Sequence, residues 1–185
     1  TSRDRVLEFA ALCFDWSIEQ LLAPLVCGAR VVVRSRGLPA PAEFREQLRI
    51  TGVTVMATPT AWWREMLFDW PAEEGLGGLE ELRLSVVAAE ALLPEDVRRW
   101  FASPLQSVRL MNVYGPTEAT IWATSCDITP EEARRAFVSI GRPMPGRTTY
   151  ILDTQGRPSA TCVAGELYLG GAGLARGYLN RPRIT

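Results

Sequence analysis

The sequence contains neither lysine nor histidine, so all 20 of its positive charges are arginine guanidinium groups. This absence excludes histidine-based catalytic triads, histidine metal sites, Schiff-base lysines and the lysine of a phosphate-binding P-loop. The net charge of −1 gives no electrostatic case for binding nucleic acid or an anionic membrane. Chemistry in this chain therefore depends on carboxylates, hydroxyls, backbone amides and arginine.

Cys-x-x-Cys pairs, a signal peptide, a transmembrane run and a lipidation motif are also missing. The four cysteines, at positions 13, 27, 126 and 162, lie far apart, and three of them are in apolar runs. We expect buried, reduced thiols and a cytoplasmic location. The 185 residues, 47% of them hydrophobic and 22% charged, suffice for one soluble globular domain with a core and a smaller lobe.

Short apolar runs alternate with amphipathic stretches up to about residue 120. Strands are predicted at 6–14, 29–34, 53–57, 82–89 and 107–114, and helices at 17–28, 41–52, 61–68 and 94–101. The first helix is predicted to begin with a capping box of Ser17 and Gln20 and to end at Gly28. This alternation predicts an α/β fold with a doubly wound, mainly parallel sheet and flanking helices, which binds ligands at the carboxyl ends of its strands.

After residue 120 the pattern changes. Strand-like runs at 120–128, 148–153 and 165–171 are separated by segments rich in glycine and proline, with no helical pattern between them. We therefore predict antiparallel pairing and the start of a small β lobe, with a boundary near residue 128.

Residues 112–120, NVYGPTEAT, gather polar groups at a Gly-Pro turn directly after a predicted strand. A capped loop is the alternative to a ligand site for this stretch alone. The run GGAGLARG at 170–177 is not a G-x-G-x-x-G motif and opens no helix, so turns with positive φ are favoured over a phosphate cradle. The tryptophans at 62, 63 and 70 are predicted to pack rather than to stack on a ligand.

Four stretches occur in a fixed order: FDWS at 14–17, AAEAL at 88–92, NVYGPTEAT at 112–120 and GELYLGGAGLARGYLNRP at 165–182. They resemble the F-D-x-S, G-G-E-A, N-x-Y-G-P-T-E and G-E-L-x-x-G-G-x-G-x-A-R-G-Y signatures of adenylation domains in nonribosomal peptide synthetases, which are adenylate-forming ligases. The resemblance implies one truncated adenylation domain. It would consist of a flavodoxin-like α/β substrate-binding subdomain over 1–128 and the beginning of a β-barrel-like subdomain over 129–185.

The resemblance also implies an activity. Such enzymes activate an amino acid with ATP and Mg²⁺ to an aminoacyl-adenylate, and then load it onto the phosphopantetheine thiol of a carrier protein. The implied partners are the amino-acid substrate, the rest of the adenylation domain, and the carrier and condensation domains of a megasynthase.

Residue roles follow from the same resemblance. Glu118 is expected to bind Mg²⁺, Thr117 to donate to the α-phosphate, and Asp15 to pair with the substrate α-ammonium. The nucleotide slot is expected to comprise Ala89, Glu90, Asn112, Tyr114, Gly115 and Thr117. The side-chain pocket is expected to comprise Trp16, Glu19, Ala57, Val86, Ala88, Val113, Ile121 and Trp122. Within it, Glu19 indicates either a cationic or hydrogen-bonding substrate side chain, or a solvent-facing carboxylate beside a pocket for a small neutral amino acid.

The chain departs from the family pattern in two respects. Ala88 and Ala89 replace the usual Gly-Gly pair and add two methyl groups beside the nucleotide slot. The phosphate loop would precede Thr1, and the ribose-binding Asp motif and the lobe with the catalytic lysine would follow Thr185, so the isolated chain is expected to adenylate poorly or not at all. The alternatives are a degenerate, non-catalytic adenylation-like module and an acyl- or aryl-acid ligase. Asp15 and the 112–118 string favour amino acids over the latter.

Overall fold

The computed structural model describes residues 1–35, 37–70 and 75–184. Its strands are β1 (Arg5–Glu8), β2 (Arg30–Val33), β3 (Val55–Pro59), β4 (Leu84–Ala88), β5 (Arg109–Tyr114), β6 (Thr124–Ile128), β7 (Arg142–Pro143), β8 (Arg147–Leu152) and β9 (Glu166–Gly171). Its α-helices are α1 (Asp15–Val26), α2 (Pro41–Thr51), α3 (Thr60–Phe68) and α4 (Pro94–Ala102). Short 3₁₀ helices cover Pro104–Ser107, Thr117–Ala119 and Pro130–Arg134.

The larger sheet has seven strands in the order β2-β1-β3-β4-β5-β6-β7. Strands β1 to β5 pair in parallel, whereas β6 and β7 add in antiparallel orientation. The order reverses between β1 and β3, which is the kind of switch point where doubly wound folds bind ligands. Strands β8 and β9 form a separate antiparallel pair. The predicted fold class is thus confirmed. The boundary near residue 128 stays a prediction, and β7, which lies beyond it, still belongs to the larger sheet.

The two faces of the larger sheet bury different clusters. Because neighbouring strand residues point to opposite faces, Met56 and Val87 belong to one cluster while Ala57 and Ala88 belong to another. The main cluster joins the strands to α2, α3 and α4 through aromatic side chains, including the fully buried Trp63. The predicted packing role of the tryptophans at 62, 63 and 70 is confirmed, since all three belong to this cluster or pack against it.

The first helix begins earlier than expected, and the predicted capping box is wrong. Helix α1 begins at Asp15, and the Ser17 hydroxyl donates to the Phe14 carbonyl at 2.7 Å. The Gln20 side chain accepts from the amides of residues 9 and 10 at 2.8 Å each, and donates to the Ala57 carbonyl at 2.9 Å. Gln20 therefore satisfies backbone groups where the chain leaves the sheet after β1. The helix ends at Val26, two residues before the predicted end, and Gly28 follows it with a φ of 71°.

The predicted burial of the cysteines is wrong. Residues 13, 27 and 162 are exposed, Cys126 is half-buried, and all four thiols are free. The physical reason at Cys13 is that β1 ends at Glu8, so the apolar run beyond it forms turns at the surface instead of a buried strand. Among the described residues, no helix has the length and apolar character needed to cross a membrane.

Candidate active site

A cavity of about 810 Å³ lies at the carboxyl ends of the parallel strands. It is lined by residues at or just after the ends of β1 to β5, together with the start of α1. The residues expected in the site that line it are Asp15, Trp16, Ala89, Glu90, Asn112, Val113, Tyr114, Gly115, Ile121 and Trp122. Those absent from its lining are Glu19, Ala57, Val86, Ala88, Thr117 and Glu118. The volume falls within the range of about 300–1,000 Å³ typical of small-molecule sites.

The apolar residues expected in the side-chain pocket pack together as one cluster. Its buried members are Trp16, Ala57, Ala88 and Val113, and Val86, Ile121 and Trp122 pack against them. The rings of Trp16 and Trp122 meet edge to face, with centroids 5.0 Å apart and planes at 87°. Both indole rings line the cavity together with Val113, whereas Ala57, Val86 and Ala88 of the same cluster do not.

Glu19 lies beside these rings, one helical turn after Trp16. Its carboxylate accepts from the Trp122 indole nitrogen at 3.4 Å. Burial raises the pKa of Glu19, and hydrogen bonding from Trp122 and Trp16 partly opposes that rise. A carboxyl group in such a place can accept a hydrogen bond or, once ionised, pair with a cation.

Asp15 is the first residue of α1, and its half-buried side chain lines the cavity. The expectation that it ends a buried strand is wrong, because β1 ends at Glu8 and a turn separates the two. The helix N-terminus favours negative charge, so the fold supports a carboxylate at this position without a cationic protein partner.

The segment after β4 is held by α3. The Thr60 hydroxyl donates to the carbonyls of Ala88 and Glu90, at 3.0 and 3.1 Å. The carboxylate of Glu90 accepts from the Ala61 amide at 2.8 Å and so caps the start of α3. Between them, Ala89 has a φ of 74°, in the left-handed region that alanine rarely adopts. Glu90 thus lines the cavity, while its carboxylate accepts a hydrogen bond from the first turn of α3.

The turn after β5 brings two stretches of backbone unusually close. A Cβ at Gly115 would come within 2.7 Å of the Ala123 nitrogen and closer still to the Ile121 oxygen. Thr120 and Ile121 have φ values of 56° and 67°, which strain a β-branched residue. This turn places Ile121 on the cavity wall. Asn112, at the end of β5, donates its side-chain amide to the Ser139 carbonyl at 3.0 Å.

Thr117 and Glu118 lie on the 3₁₀ helix that follows this turn, and both are exposed. The Tyr178 hydroxyl donates to Oε1 of Glu118, and the Ala175 amide donates to the Glu118 carbonyl at 2.7 Å. The hydrogen bond from Tyr178 lowers the pKa of Glu118 and raises that of Tyr178. Glu118 is therefore ionised at neutral pH.

Residues 1–179 match the family of AMP-binding enzymes. The chain belongs to this family. It is 41% identical to novobiocin biosynthesis protein H of Streptomyces niveus, over 100% of this chain and 28% of the relative. It is 34% identical to tyrocidine synthase 3 of Brevibacillus parabrevis, over 98% of this chain and 3% of the relative. The chain thus spans under a third of the length of these relatives.

Two solved structures of nonribosomal peptide synthetases superpose on this AMP-binding chain. The synthetase FmoA3 (S1046A) gives a TM-score of 0.90 at 31% identity, over 100% of this chain and 20% of that one. PA1221, which contains adenylation and PCP domains, gives 0.89 at 26% identity, over 100% of this chain and 36% of that one. The resemblance to the adenylation domains of nonribosomal peptide synthetases is confirmed.

The AMP-binding chain offers a limited set of metal ligands. Among the residues that the structure describes, no group of three or more acidic, cysteine or histidine side chains could enclose a metal ion. Mg²⁺ is often held by one or two carboxylates while phosphate oxygens and water complete its octahedron. The single ionised carboxylate of Glu118 fits that kind of site and not an all-protein cage.

Several cavity residues of the AMP-binding chain carried no sequence signal. Arg34 follows β2, and its Nε donates to the Phe9 carbonyl at 2.7 Å while the guanidinium lies 5.3 Å from the Phe9 ring centroid. Nothing in the sequence distinguishes Arg34 from the other arginines. Phe9 also lines the cavity. Phe14 lines it too, and it opens the FDWS motif, but no role was assigned to it. Tyr178 lies in a motif that the sequence singled out, but no role was assigned to it.

Proposed function

We propose that this chain carries the substrate-selecting site of an adenylation domain. The domain would use ATP to convert an amino acid to its aminoacyl-adenylate for loading onto a carrier-protein thiol. The observation that carries this proposal is that Asp15 and the turn at Tyr114 and Gly115 line the same cavity of about 810 Å³. The part of the cavity at Asp15 then suits an ammonium group, and the part at Tyr114 and Gly115 suits a nucleotide.

Asp15 supports an amino acid as the substrate. The Asp15 carboxylate lines the cavity at the start of α1, and the α-ammonium of an amino acid would pair with it through a charge-assisted hydrogen bond. An acyl or aryl acid has no such group. In the α-methyl-L-serine-AMP bound form, FmoA3 holds an amino-acyl adenylate, and it is 30% identical to this chain with a TM-score of 0.88.

The β4 and β5 ends support the nucleotide half of the proposal. Ala89 and Glu90 line one side of the cavity, and Asn112, Tyr114 and Gly115 line another. We assign the adenine to the slot between them, with the Tyr114 ring stacked on the base. FmoA3 also has an AMPPNP bound form, 31% identical to this chain with a TM-score of 0.89.

Thr117 and Glu118 would act on the phosphates. In the reaction, a substrate carboxylate oxygen bonds to the α-phosphorus while the bond from that phosphorus to pyrophosphate breaks, and pyrophosphate leaves with the electron pair. Bound Mg²⁺ would neutralise negative charge on the phosphate oxygens. Glu118 would hold the metal through a carboxylate oxygen, and the Thr117 hydroxyl would donate to an α-phosphate oxygen.

The two indole rings favour a substrate with a short, neutral side chain. Trp16 and Trp122, with ring centroids 5.0 Å apart, line the cavity, whereas Ala57, Val86 and Ala88 do not. A long cationic side chain would have to part these rings to reach Glu19. Burial raises the pKa of Glu19, so pairing this carboxylate with a cation carries a desolvation cost.

The partners follow from the same function. An aminoacyl-adenylate must be handed to a thiol, so the expected partner is the phosphopantetheine arm of a carrier domain, with condensation domains acting next. PA1221 contains a PCP domain beside its adenylation domain, and this chain superposes on it with a TM-score of 0.89.

Amino-acid-dependent ATP–pyrophosphate exchange tests the proposal. Residues 1–185 would replace the matching segment of an intact adenylation domain, and the chimera would be assayed with a panel of amino acids. Asp15→Asn keeps the size of the side chain and removes its charge, so we expect the KM of the preferred amino acid to rise by about 10- to 100-fold, as for loss of a charged hydrogen bond. The exposed Asp127, which pairs with Arg109, provides the matched control Asp127→Asn.

Each contrary result has a distinct meaning. Amino-acid-dependent exchange that survives Asp15→Asn unchanged would show that Asp15 does not bind the substrate ammonium and would remove the argument against an acyl- or aryl-acid substrate. A folded chimera that shows no exchange with any amino acid would indicate a degenerate module. If the chimera selects a cationic amino acid and Glu19→Gln abolishes that selection, the proposal of a substrate with a short, neutral side chain is refuted.

A further inference from the structure

The segment that follows β9 folds back onto the turn carrying Glu118. The Thr120 hydroxyl donates to the Gly173 carbonyl at 2.6 Å, and the Ala175 amide donates to the Glu118 carbonyl at 2.7 Å. The Tyr178 hydroxyl then donates to Oε1 of the Glu118 carboxylate. Both the backbone and the side chain of Glu118 are therefore held by residues more than 50 positions later in the chain.

This contact contributes little to folding. The side chain of Glu118 is exposed and Tyr178 is 46% exposed, so solvent competes for their hydrogen bond. An exposed glutamate on a three-residue 3₁₀ helix otherwise samples many rotamers. The chief physical effect of the phenol is thus to restrict where the carboxylate points.

The geometry leaves the carboxylate able to bind a cation. A carboxylate has two oxygens, so it can accept from a phenol at one and bind a metal ion with the other. Ligand carboxylates in metal sites are commonly oriented by such hydrogen bonds, and loss of the outer partner typically weakens metal binding by about 10- to 100-fold.

We propose that Tyr178 is the positioning residue for the Glu118 carboxylate, holding Oε1 so that the other oxygen faces the metal–nucleotide complex. This inference rests on the proposed function. It gives a role to the Ala-Arg-Gly-Tyr stretch at 175–178, because the backbone of Ala175 fixes the turn and the side chain of Tyr178 fixes the ligand. It also makes the small β8–β9 unit a part of the site on the larger sheet.

The inference can be tested without turnover by measuring Mn²⁺ affinity. Electron paramagnetic resonance would report Mn²⁺ binding to the adenylation-domain chimera in the presence of AMPPNP. Tyr178→Phe removes only the hydroxyl, and we expect Mn²⁺ affinity to fall by about 10-fold. The KM for the amino acid and the unfolding midpoint should stay close to those of the unaltered chimera. Tyr168→Phe is the matched control, since Tyr168 is 45% exposed and its hydroxyl donates to Glu166 at 3.4 Å, away from the turn.

The outcomes separate this inference from the function on which it rests. Unchanged Mn²⁺ affinity in Tyr178→Phe, with loss of affinity in Glu118→Gln, would overturn the role of Tyr178 alone. Unchanged affinity in both variants would overturn the metal role of Glu118, while the Asp15 exchange assay would still report on amino-acid activation. A parallel fall in Mn²⁺ affinity, amino-acid binding and thermal midpoint in Tyr178→Phe would show a merely structural residue and would also refute the inference.

Discussion

Replacing Ala89 with glycine should stabilise the chain, because Ala89 is held in a backbone conformation that disfavours any Cβ. The φ of Ala89 is 74°, which lies in the left-handed region. The backbone carbonyls of the residues on either side, Ala88 and Glu90, accept hydrogen bonds from the Thr60 hydroxyl. The backbone therefore cannot relax to a negative φ without breaking those contacts.

The size of the effect follows from two opposing contributions. A non-glycine residue in the left-handed conformation costs about 1–2 kcal/mol relative to glycine. Glycine has the greater freedom in the unfolded chain, which offsets about 0.4–1 kcal/mol of that gain. The net stabilisation should be about 0.5–1 kcal/mol. For a chain of this size that corresponds to a rise in Tm of about 1–4 °C.

Differential scanning calorimetry would measure the change, with Ala88→Gly as the matched control. Ala88 is only 1% exposed and has no positive φ, so glycine there removes a buried methyl group and loosens a strand. We expect that variant to lose about 1–2 kcal/mol. A Tm that falls by the same amount in both variants would refute the argument from backbone strain.

Three further perturbations test other parts of the structure. Arg64→Met should cost about 3 kcal/mol in chemical denaturation, because it leaves the fully buried Asp96 carboxylate without the guanidinium that donates to it twice at 2.7 Å. Gly115→Ala should disrupt the turn after β5 and reduce amino-acid-dependent exchange, since its Cβ has no room. Hydrogen bonding from Arg83 holds the pKa of Asp4 well below its usual range despite burial, so its stabilising effect is present above about pH 4 and is lost as the pH falls further. Urea midpoints of the unaltered chain and Asp4→Asn should therefore converge in acid.

Matched controls distinguish these effects from general damage. Arg109→Met removes an ion pair whose partners are 52% and 57% exposed, and it should cost no more than about 1 kcal/mol. If it costs as much as Arg64→Met, burial is not the cause. Gly146→Ala places a methyl group where nothing lies within 4 Å, so exchange should survive there even if stability falls. A stability gap between the unaltered chain and Asp4→Asn that is constant from pH 7 to pH 2 would contradict the linkage at Arg83.

Local pattern was sufficient to predict most elements of the larger sheet. The strands ending at residues 33, 59 and 88 with the α-helices after them, and the strand ending at residue 114, follow apolar runs bounded by proline or glycine. These signals are contained within about ten residues. Ordered motifs also identified the residues that line the cavity at Asp15 and at 112–116. The motifs locate the cavity because the topology of a parallel sheet places the carboxyl ends of its strands at one edge.

What the sequence could not reveal depends on partners distant along the chain. Gln20 looked like part of a capping box, but its side-chain amide donates to a carbonyl 37 residues later. The role of Glu90 as a cap for α3 requires a donor 29 residues earlier, and the contact of Tyr178 with Glu118 spans 60 residues. Hydrophobic periodicity and motif spacing carry information about residues that are close in sequence. Contacts between residues far apart in sequence form only when the sheet assembles, so neither signal predicts them.

The alternation of side chains along β3 and β4 has a consequence for how such a site can change. Met56 and Val87 point into the main core, whereas their neighbours Ala57 and Ala88 point toward the cluster behind the cavity. Substitutions on the second face alter the space behind the two indoles while the packing under α2, α3 and α4 is untouched. Positions 57 and 88 can therefore change the packing around Trp16 and Trp122 without placing new atoms in the main core on the other face of the sheet.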